Sequence, residues 1–215
     1  MFEHFTEEDG AAITIFKGVR GHLTQADSDV IKSLALNMEP GDIYVEVGSY
    51  LGCSACITGH FAPPGVLVYA HDIWVENMKS LGDETGPPVY TENYFKKFYE
   101  NVRRLKLEHT IIPIRGDSKY TLTLHEPKSV SVAFVDGDHS YEGALSDMRN
   151  AWRLIKDGGT LIMHDCVRGS TGFAALETFS NENDLNDDLV AFGGSSIVKV
   201  IKTSGDTDSK DGPNP

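Results

Sequence analysis

The chain has 215 residues, of which 40% are apolar, and a formal net charge of −13. These totals indicate one globular domain and disfavour a nucleic-acid partner, because so acidic a surface repels phosphates. The apolar runs are strand-length, too short for a membrane helix of about 20 residues. Three cysteines do not suggest a disulfide framework and the acidic N-terminus does not resemble a signal peptide, so we expect a cytoplasmic location.

The elements predicted along the chain alternate between helix and strand. We expect residues 1–20 to be an irregular lead-in to a single domain that ends at residue 202, and residues 203–215 to be a disordered tail. The predicted helices cover residues 24–37, 54–60, 94–105, 141–156 and 172–179. The predicted strands cover residues 43–47, 66–71, 110–114, 130–135, 160–163, 189–192 and 196–201.

This order predicts a doubly wound, Rossmann-like α/β fold with a mainly parallel sheet. The last two strands flank Gly193-Gly194, which predicts an antiparallel hairpin at the C-terminal edge of the sheet. Ligands of such folds bind beyond the carboxyl ends of the strands.

Acidic residues recur at those strand ends. They are Glu46, Asp72, Asp117, Asp136, Asp138 and Asp165. Carboxylates gathered at one edge repel one another unless cations or hydroxyl donors lie between them. The pattern therefore predicts a ligand site at this edge.

The first strand leads into a turn with glycines at Gly48 and Gly52. Gly48 permits a tight turn and a close approach of ligand to backbone, and Gly52 permits close helix packing. Asp72, at the end of the second strand, is placed to bind ribose hydroxyls. Together these features predict a cofactor that contains adenosine. The Gly-x-Gly-x-x-Gly pattern of dinucleotide binders is absent, which disfavours an NAD(P)-dependent oxidoreductase.

The order of these motifs resembles the class I S-adenosylmethionine-dependent methyltransferases. The similarity is greatest to the small-molecule O-methyltransferase branch, which includes macrocin-type and cephalosporin-hydroxylase-like proteins. Its most specific segment is Asp136-Gly-Asp-His-Ser-Tyr-Glu142, followed by Gly158-Gly159 and His164-Asp165. The resemblance covers residues 24–201 and implies methyl transfer to a small-molecule hydroxyl of a sugar or a phenol.

The resemblance also implies the cofactor contacts. The glycine turn lines the amino-acid end of S-adenosylmethionine, Asp72 holds the ribose, Asp117 and Ser118 flank the adenine, and Asp136 lies below the methionine portion. The full implied set is Glu46, Gly48, Ser49, Tyr50, Gly52, Ser54, Asp72, Ile73, Asp117, Ser118 and Asp136.

The resemblance to metal-dependent members of this branch implies that a divalent cation such as Mg²⁺ is held by Asp136, His164 and Asp165. Relatives often carry two oxygen ligands at the last pair, so His164 is a departure, and a hydrogen-bonded histidine at a strand end is the alternative. The resemblance favours Asp138 as the base that takes the hydroxyl proton. His139 is the other candidate, because imidazole titrates near neutral pH.

The remaining expectations concern loops and partners. We expect the segment 80–91 to cover the site or to be a surface loop, and the segment 166–172 to contact substrate. Trp74 is expected either near the adenine or lining the pocket. The sequence leaves the oligomeric state open, and residues 1–20, with Ile13, Ile15 and Phe16 among them, are the candidates for a homodimer contact. A phosphatase of the Asp-x-Asp type and a non-catalytic protein that binds S-adenosylmethionine are the other functions considered.

Overall fold

A computed structural model of the chain describes residues 2–8, 10–74, 93–185 and 188–204. The segment 80–91, expected to be a lid or a surface loop, lies outside the described residues. So does all but the first part of the predicted tail.

The N-terminus forms a small antiparallel sheet, which corrects the prediction that residues 1–20 are irregular. Its strands are β1 (Phe2–Thr6), β2 (Ala12–Phe16) and β3 (Val19–Gly21). Lys17 and Gly18 connect the last two strands with φ values of 47° and 80°. Two consecutive positive φ values are characteristic of a tight type I′ hairpin turn.

This small sheet packs on the rest of the domain. Ile13 and Phe16, which were candidates for a dimer contact, have no exposed surface and pack within the chain. A Cβ atom at Gly21 would lie only 2.5 Å from the Cβ atom of Cys53, so the end of β3 must be glycine to pack there. The N-terminal strands therefore belong to the domain.

The main sheet is mainly parallel. Its strands are β4 (Ile43–Val47), β5 (Leu67–Asp72), β6 (Ile111–Arg115), β7 (Val130–Val135), β8 (Ile155–Met163), β9 (Val190–Ala191) and β10 (Val198–Ile201). They lie in the order β6-β5-β4-β7-β8-β10-β9, with β4 to β8 parallel. β10 pairs antiparallel with both β8 and β9. The predicted doubly wound fold with an antiparallel C-terminal hairpin is confirmed.

Helices cover both faces of this sheet. They are α1 (Gln25–Leu36), α2 (Cys53–Phe61), α3 (Tyr94–Arg104), α4 (Ser118–Thr121), α5 (Tyr141–Leu154) and α6 (Thr171–Glu182). Alternate residues of β7 enter two separate hydrophobic clusters, Phe134 on one face and Ala133 and Val135 on the other. Within the described ranges, every helix is too short or too polar to cross a membrane.

Backbone hydrogen bonds hold the carboxyl ends of neighbouring strands together. The amide of Asp136 donates to the carbonyl of Val47, and the amide of His164 donates to the carbonyl of Val135, each at 2.9 Å. The residues that follow β4, β7 and β8 consequently meet at one edge of the sheet.

Candidate active site

The turn after β4 requires both of its glycines. Gly48 has a φ of +86°, and a Cβ atom there would overlap the backbone carbonyl of Asp136. Gly52, also at +86°, caps α2, and a Cβ atom there would lie 2.9 Å from the ring of Phe98. The left-handed φ and the lack of space both exclude larger residues. Both glycines are therefore required by the close approach of the segment after β7 and of α3 to this turn.

Asp72 lies directly beside this turn. Its Oδ2 atom accepts a hydrogen bond from the amide of Tyr50 at 2.8 Å, and its Oδ1 atom accepts one from the amide of Trp74 at 2.6 Å. A carboxylate oxygen has a second lone pair, so both atoms can still accept from ribose hydroxyls. Ile73, the next predicted contact, is exposed.

Trp74 supports the turn from the core. Its side chain is buried and packs against the rings of Phe95 and Phe98. Its indole Nε1 donates to the carbonyl of Tyr50 at 2.8 Å. Trp74 is thus a core residue that holds the turn in place.

Glu46 is fully buried, and the hydroxyls of Ser49 and Ser54, which lower its pKa, do not reach it with normal hydrogen-bond geometry. Neither of its oxygens has a hydrogen-bond partner within the described residues, and the buried hydroxyl of Ser49 has none either. Burial raises the pKa of Glu46 to about 8, although nearby Ser49 and Ser54 offset part of the rise. Because buried polar groups normally have partners, these atoms indicate that a polar ligand completes the site.

The segment after β6 forms a hydrogen bond with Asp147, a residue that the sequence did not single out. Asp117 caps α4 by accepting from the amide of Lys119 at 2.9 Å. The hydroxyl of Ser118 donates to Asp147 Oδ1 at 2.5 Å. Asp147 is buried in α5, and burial raises its pKa to about 6 despite that hydrogen bond.

An acidic centre forms where β7 and β8 end. One ligand atom from each of Asp136, His139 and Asp165 lies within 4.8 Å of the others. His139 Nδ1 lies 3.5 Å from Asp165 Oδ2. Two carboxylates and an imidazole form a donor set that fits Mg²⁺ or Mn²⁺.

His164, the predicted third metal ligand, has both ring nitrogens directed at carboxylates. Its Nδ1 lies 3.1 Å from Asp136 Oδ1 and 3.3 Å from Asp165 Oδ1, and its Nε2 lies 3.3 Å from Asp27 Oδ2. Burial alone would lower the pKa of His164, but these carboxylates, Asp136 first, raise it far above its usual range. Among the described residues, the ligand atoms that lie within 4.8 Å of one another therefore belong to Asp136, His139 and Asp165 and do not include His164.

Asp138, the favoured base, is directed toward its own helix. Its Oδ1 atom accepts from the amide of Ser140 at 2.8 Å. Its carboxylate also fills the space where a side chain at Gly143 would lie. This arrangement is a local turn at the start of α5.

A cleft opens beside His139. Its volume is about 300 Å³, and its lining residues are His139, Asp165, Val167, Ser170, Thr171 and Gly172. This volume is at the small end of small-molecule sites. The predicted substrate segment 166–172 thus forms much of its wall.

The fold and this edge of the sheet define a cofactor-binding α/β domain, and comparison with known proteins gives its family. A family model described as "Methyltransferase domain" matches residues 45–166, more than half of the chain. The chain belongs to this family of methyltransferase domains. The sequence-based prediction of a methyltransferase is confirmed at this level.

Solved structures share the fold. The O-methyltransferase NovP superposes with a TM-score of 0.66 at 18% identity, covering 84% of this chain and 81% of its own. The O-methyltransferase from Bacillus cereus, in complex with S-adenosylhomocysteine, superposes with a TM-score of 0.61 at 15% sequence identity. The match covers 83% of this chain and 82% of that one. TomG from Streptomyces achromogenes, an O-methyltransferase in complex with S-adenosylmethionine, superposes with a TM-score of 0.58 at 12% sequence identity. The match covers 81% of this chain and 79% of that one.

One curated protein is similar in sequence. It is the uncharacterised protein R132 of Acanthamoeba polyphaga mimivirus, 24% identical over 139 residues. The match covers 63% of this chain and 57% of that protein. The chain thus spans little more than half the length of this relative.

Proposed function

We propose that the protein transfers a methyl group from S-adenosylmethionine to a hydroxyl of a small molecule. The observation that carries the proposal is the turn at Gly48 beside Asp72, together with the unpartnered carboxylate of buried Glu46. This combination fits a ligand with ribose hydroxyls and an ammonium group. The three O-methyltransferases of the same fold support the same reaction class.

The cofactor would be held by residues on three loops. Asp72 would accept from its ribose hydroxyls, and Asp117 and Ser118 would flank the adenine. Glu46 and Ser49 offer buried acceptors for its amino group. When bound, S-adenosylmethionine supplies a methyl group on a positively charged sulfur. The acidic edge of the sheet favours that charge electrostatically.

His139 is the base that the geometry favours. An acceptor hydroxyl must lose its proton as the new bond to carbon forms. Asp165 can bind the Nδ1 proton of His139, which leaves Nε2 free to take a proton. His139 also lines the cleft, whereas the carboxylate of Asp138 is engaged at its helix. The acceptor, in a cleft of about 300 Å³, would be a small molecule such as a phenol or a sugar.

A divalent cation bound by Asp136, His139 and Asp165 is the second candidate arrangement, favoured by the short distances among their ligand atoms. A bound cation lowers the pKa of a coordinated hydroxyl. The two arrangements use His139 differently, as base or as ligand.

The test is transfer of a radiolabelled methyl group from S-adenosylmethionine to a panel of small phenols and sugars. We expect label in a hydroxyl of at least one acceptor, with a loss of about 100-fold or more in His139→Gln and a smaller loss in Asp138→Asn. Full activity in a chelator would support His139 as base. Loss restored by Mn²⁺ would support the cation. Cofactor binding without transfer to any acceptor would favour a binding protein.

A further inference from the structure

Asp147 is a buried carboxylate that contacts two loops of the site without facing the cleft. It lies in α5 with 2% of its surface exposed. Its Oδ1 atom accepts the hydroxyl proton of Ser118, on the segment after β6, at 2.5 Å. Its other oxygen, Oδ2, faces the segment after β7, where a Cβ atom at Gly137 would lie 2.9 Å from it and where the backbone of Asp138 lowers the pKa of Asp147.

The segment after β7 is shaped to admit this carboxylate. A Cβ atom at Gly137 would lie 2.9 Å from Asp147 Oδ2 and 2.9 Å from Val47 Cγ1. Any larger residue at Gly137 would displace the carboxylate or the strand. The absence of a side chain thus lets one carboxylate reach the backbone of one loop and the hydroxyl of another.

Burying a carboxylate is costly, and folding alone does not require one here. The neighbouring positions on the same face of α5, Ala144 and Ala151, are apolar and buried, so an apolar residue would also suit the position. Burial raises the pKa of Asp147 to about 6, and Asp138 and Asp117 add to the rise. Retaining a carboxylate at this cost indicates a use beyond packing.

We infer that Asp147 is a positioning residue that fixes the segment Asp136–His139 relative to the cofactor segment Asp117–Ser118. The inference rests on the proposed function, because it assigns those two segments to the reacting groups and to the cofactor. Through its hydrogen bond to Ser118 and its close approach to Gly137, a shift of Ser118 is transmitted to the backbone on which His139 lies. Asp147 touches neither substrate nor cofactor.

The test compares Ser118→Ala, Asp147→Asn and the double variant with wild type. An asparagine at 147 replaces one carboxylate oxygen with an amino group that only donates, so it cannot present acceptors both to Ser118 and to the backbone beside Gly137. Ser118→Ala removes one hydrogen bond and leaves Asp147 intact, and it keeps the test valid if Asp147→Asn fails to fold. Ser131→Ala is the matched control, because Ser131 donates to Asp42 at 2.5 Å at the opposite edge of the sheet.

Two measurements are made on each folded protein: amide hydrogen exchange of residues 136–140 without ligand, and calorimetric binding of S-adenosylhomocysteine. We expect Ser118→Ala to speed exchange at the Asp138 amide, although residue 118 lies on another loop. We expect Asp147→Asn to do the same and to weaken binding by about 10-fold or more. The double variant should be no worse than Asp147→Asn, and Ser131→Ala should match wild type in both measurements.

Unchanged exchange at Asp138 in Ser118→Ala would overturn the inference, as would additive effects in the double variant. An equal effect of Ser131→Ala would overturn it too, since that result would indicate general destabilisation. Failure of wild type to bind S-adenosylhomocysteine would overturn the proposed function instead, while the exchange data, which need no ligand, would still decide whether Asp147 couples the two loops.

Discussion

His164 and Asp27 form a buried ion pair that joins the acidic centre to α1, with His164 Nε2 3.3 Å from Asp27 Oδ2. Asp27 is 1% exposed and also accepts from the hydroxyl of Ser195 at 2.5 Å and from the amide of Ser196 at 3.0 Å. His164 contacts Asp136 through its other nitrogen. The His164 ring thus lies between the buried carboxylate of Asp27 and the partly exposed carboxylate of Asp136.

Asp27→Asn should be strongly destabilising, because it leaves the imidazolium without one of its buried partners. We expect the free energy of unfolding to fall by about 3 kcal/mol, as for other buried ion pairs that lose one member. Urea unfolding at pH 7 measures it. Asp29→Asn, on the exposed side of the same helix, is the matched control and should stay within about 0.5 kcal/mol of wild type.

His164→Gln distinguishes a counter-charge from a metal ligand, because the two roles predict opposite signs. If His164 is the positive charge that balances Asp136 and Asp165, its removal should strengthen Mn²⁺ binding several-fold. If it is a ligand, removal should weaken binding. Electron paramagnetic resonance of free Mn²⁺ measures the affinity, with circular dichroism to verify folding. Weaker binding in folded His164→Gln would contradict the structure-based assignment.

Glu46→Gln should stabilise the protein and weaken its ligand binding. Because the pKa of Glu46 is raised to about 8 in the folded state, folding favours the protonated form. The unfolded chain loses that proton near its ordinary pKa, so wild type loses stability through this group as pH rises from about 4.5 to 8. Glutamine does not ionise and so avoids this loss. We expect the free energy of unfolding of Glu46→Gln to exceed that of wild type by about 1–3 kcal/mol at pH 7.

Chemical denaturation of both proteins at pH 5 and pH 8 checks this prediction. The advantage of Glu46→Gln should grow with pH, while its affinity for S-adenosylhomocysteine falls. A variant less stable than wild type at pH 8 would show that the carboxylate has a structural partner.

His71 should make the protein sensitive to acid. Its side chain has no exposed surface, and its Nε2 lies 2.9 Å from Nε2 of His125. Burial and then the neighbouring His125 lower the pKa of His71 to about 3. The unfolded chain takes up a proton near pH 6.5, so stability from this group is present above that pH and is lost as pH falls toward 3.

Between pH 6.5 and pH 5, His71 should lower the free energy of unfolding by about 2 kcal/mol, at about 1.4 kcal/mol per pH unit. Urea unfolding over this range should show a flatter pH dependence in His71→Gln than in wild type. His109→Gln, at an exposed position, is the control and should keep the wild-type slope. Parallel curves for all three proteins would contradict the assignment.

The sheet and the glycine turn after β4 were predictable because their patterns are local. Gly48 and Gly52 occupy fixed positions after an apolar strand, and acidic residues follow the strand ends in order. The N-terminal sheet was missed although Lys17-Gly18 between apolar residues is a hairpin signal, because its strands are short and precede the alternating pattern.

The roles of individual side chains depend on contacts between distant segments. His164 is paired by Asp27, 137 positions away in sequence, and no pattern around His164 reveals that partner. Asp147 was recognisable in principle, because it interrupts the apolar face of α5 between Ala144 and Ala151. A polar residue on a buried helix face is the signal that would have found it.

The measurement that tests the central claim most directly is calorimetric titration of S-adenosylhomocysteine into wild type, Asp72→Asn and Asp157→Asn. Asp72 lies beside the turn at Gly48, whereas Asp157 lies at the opposite edge of the sheet near Lys128. We expect wild type and Asp157→Asn to bind alike, and Asp72→Asn to bind about 10-fold to 100-fold more weakly. Absence of binding to wild type, or equal binding by Asp72→Asn, would contradict the proposed cofactor site.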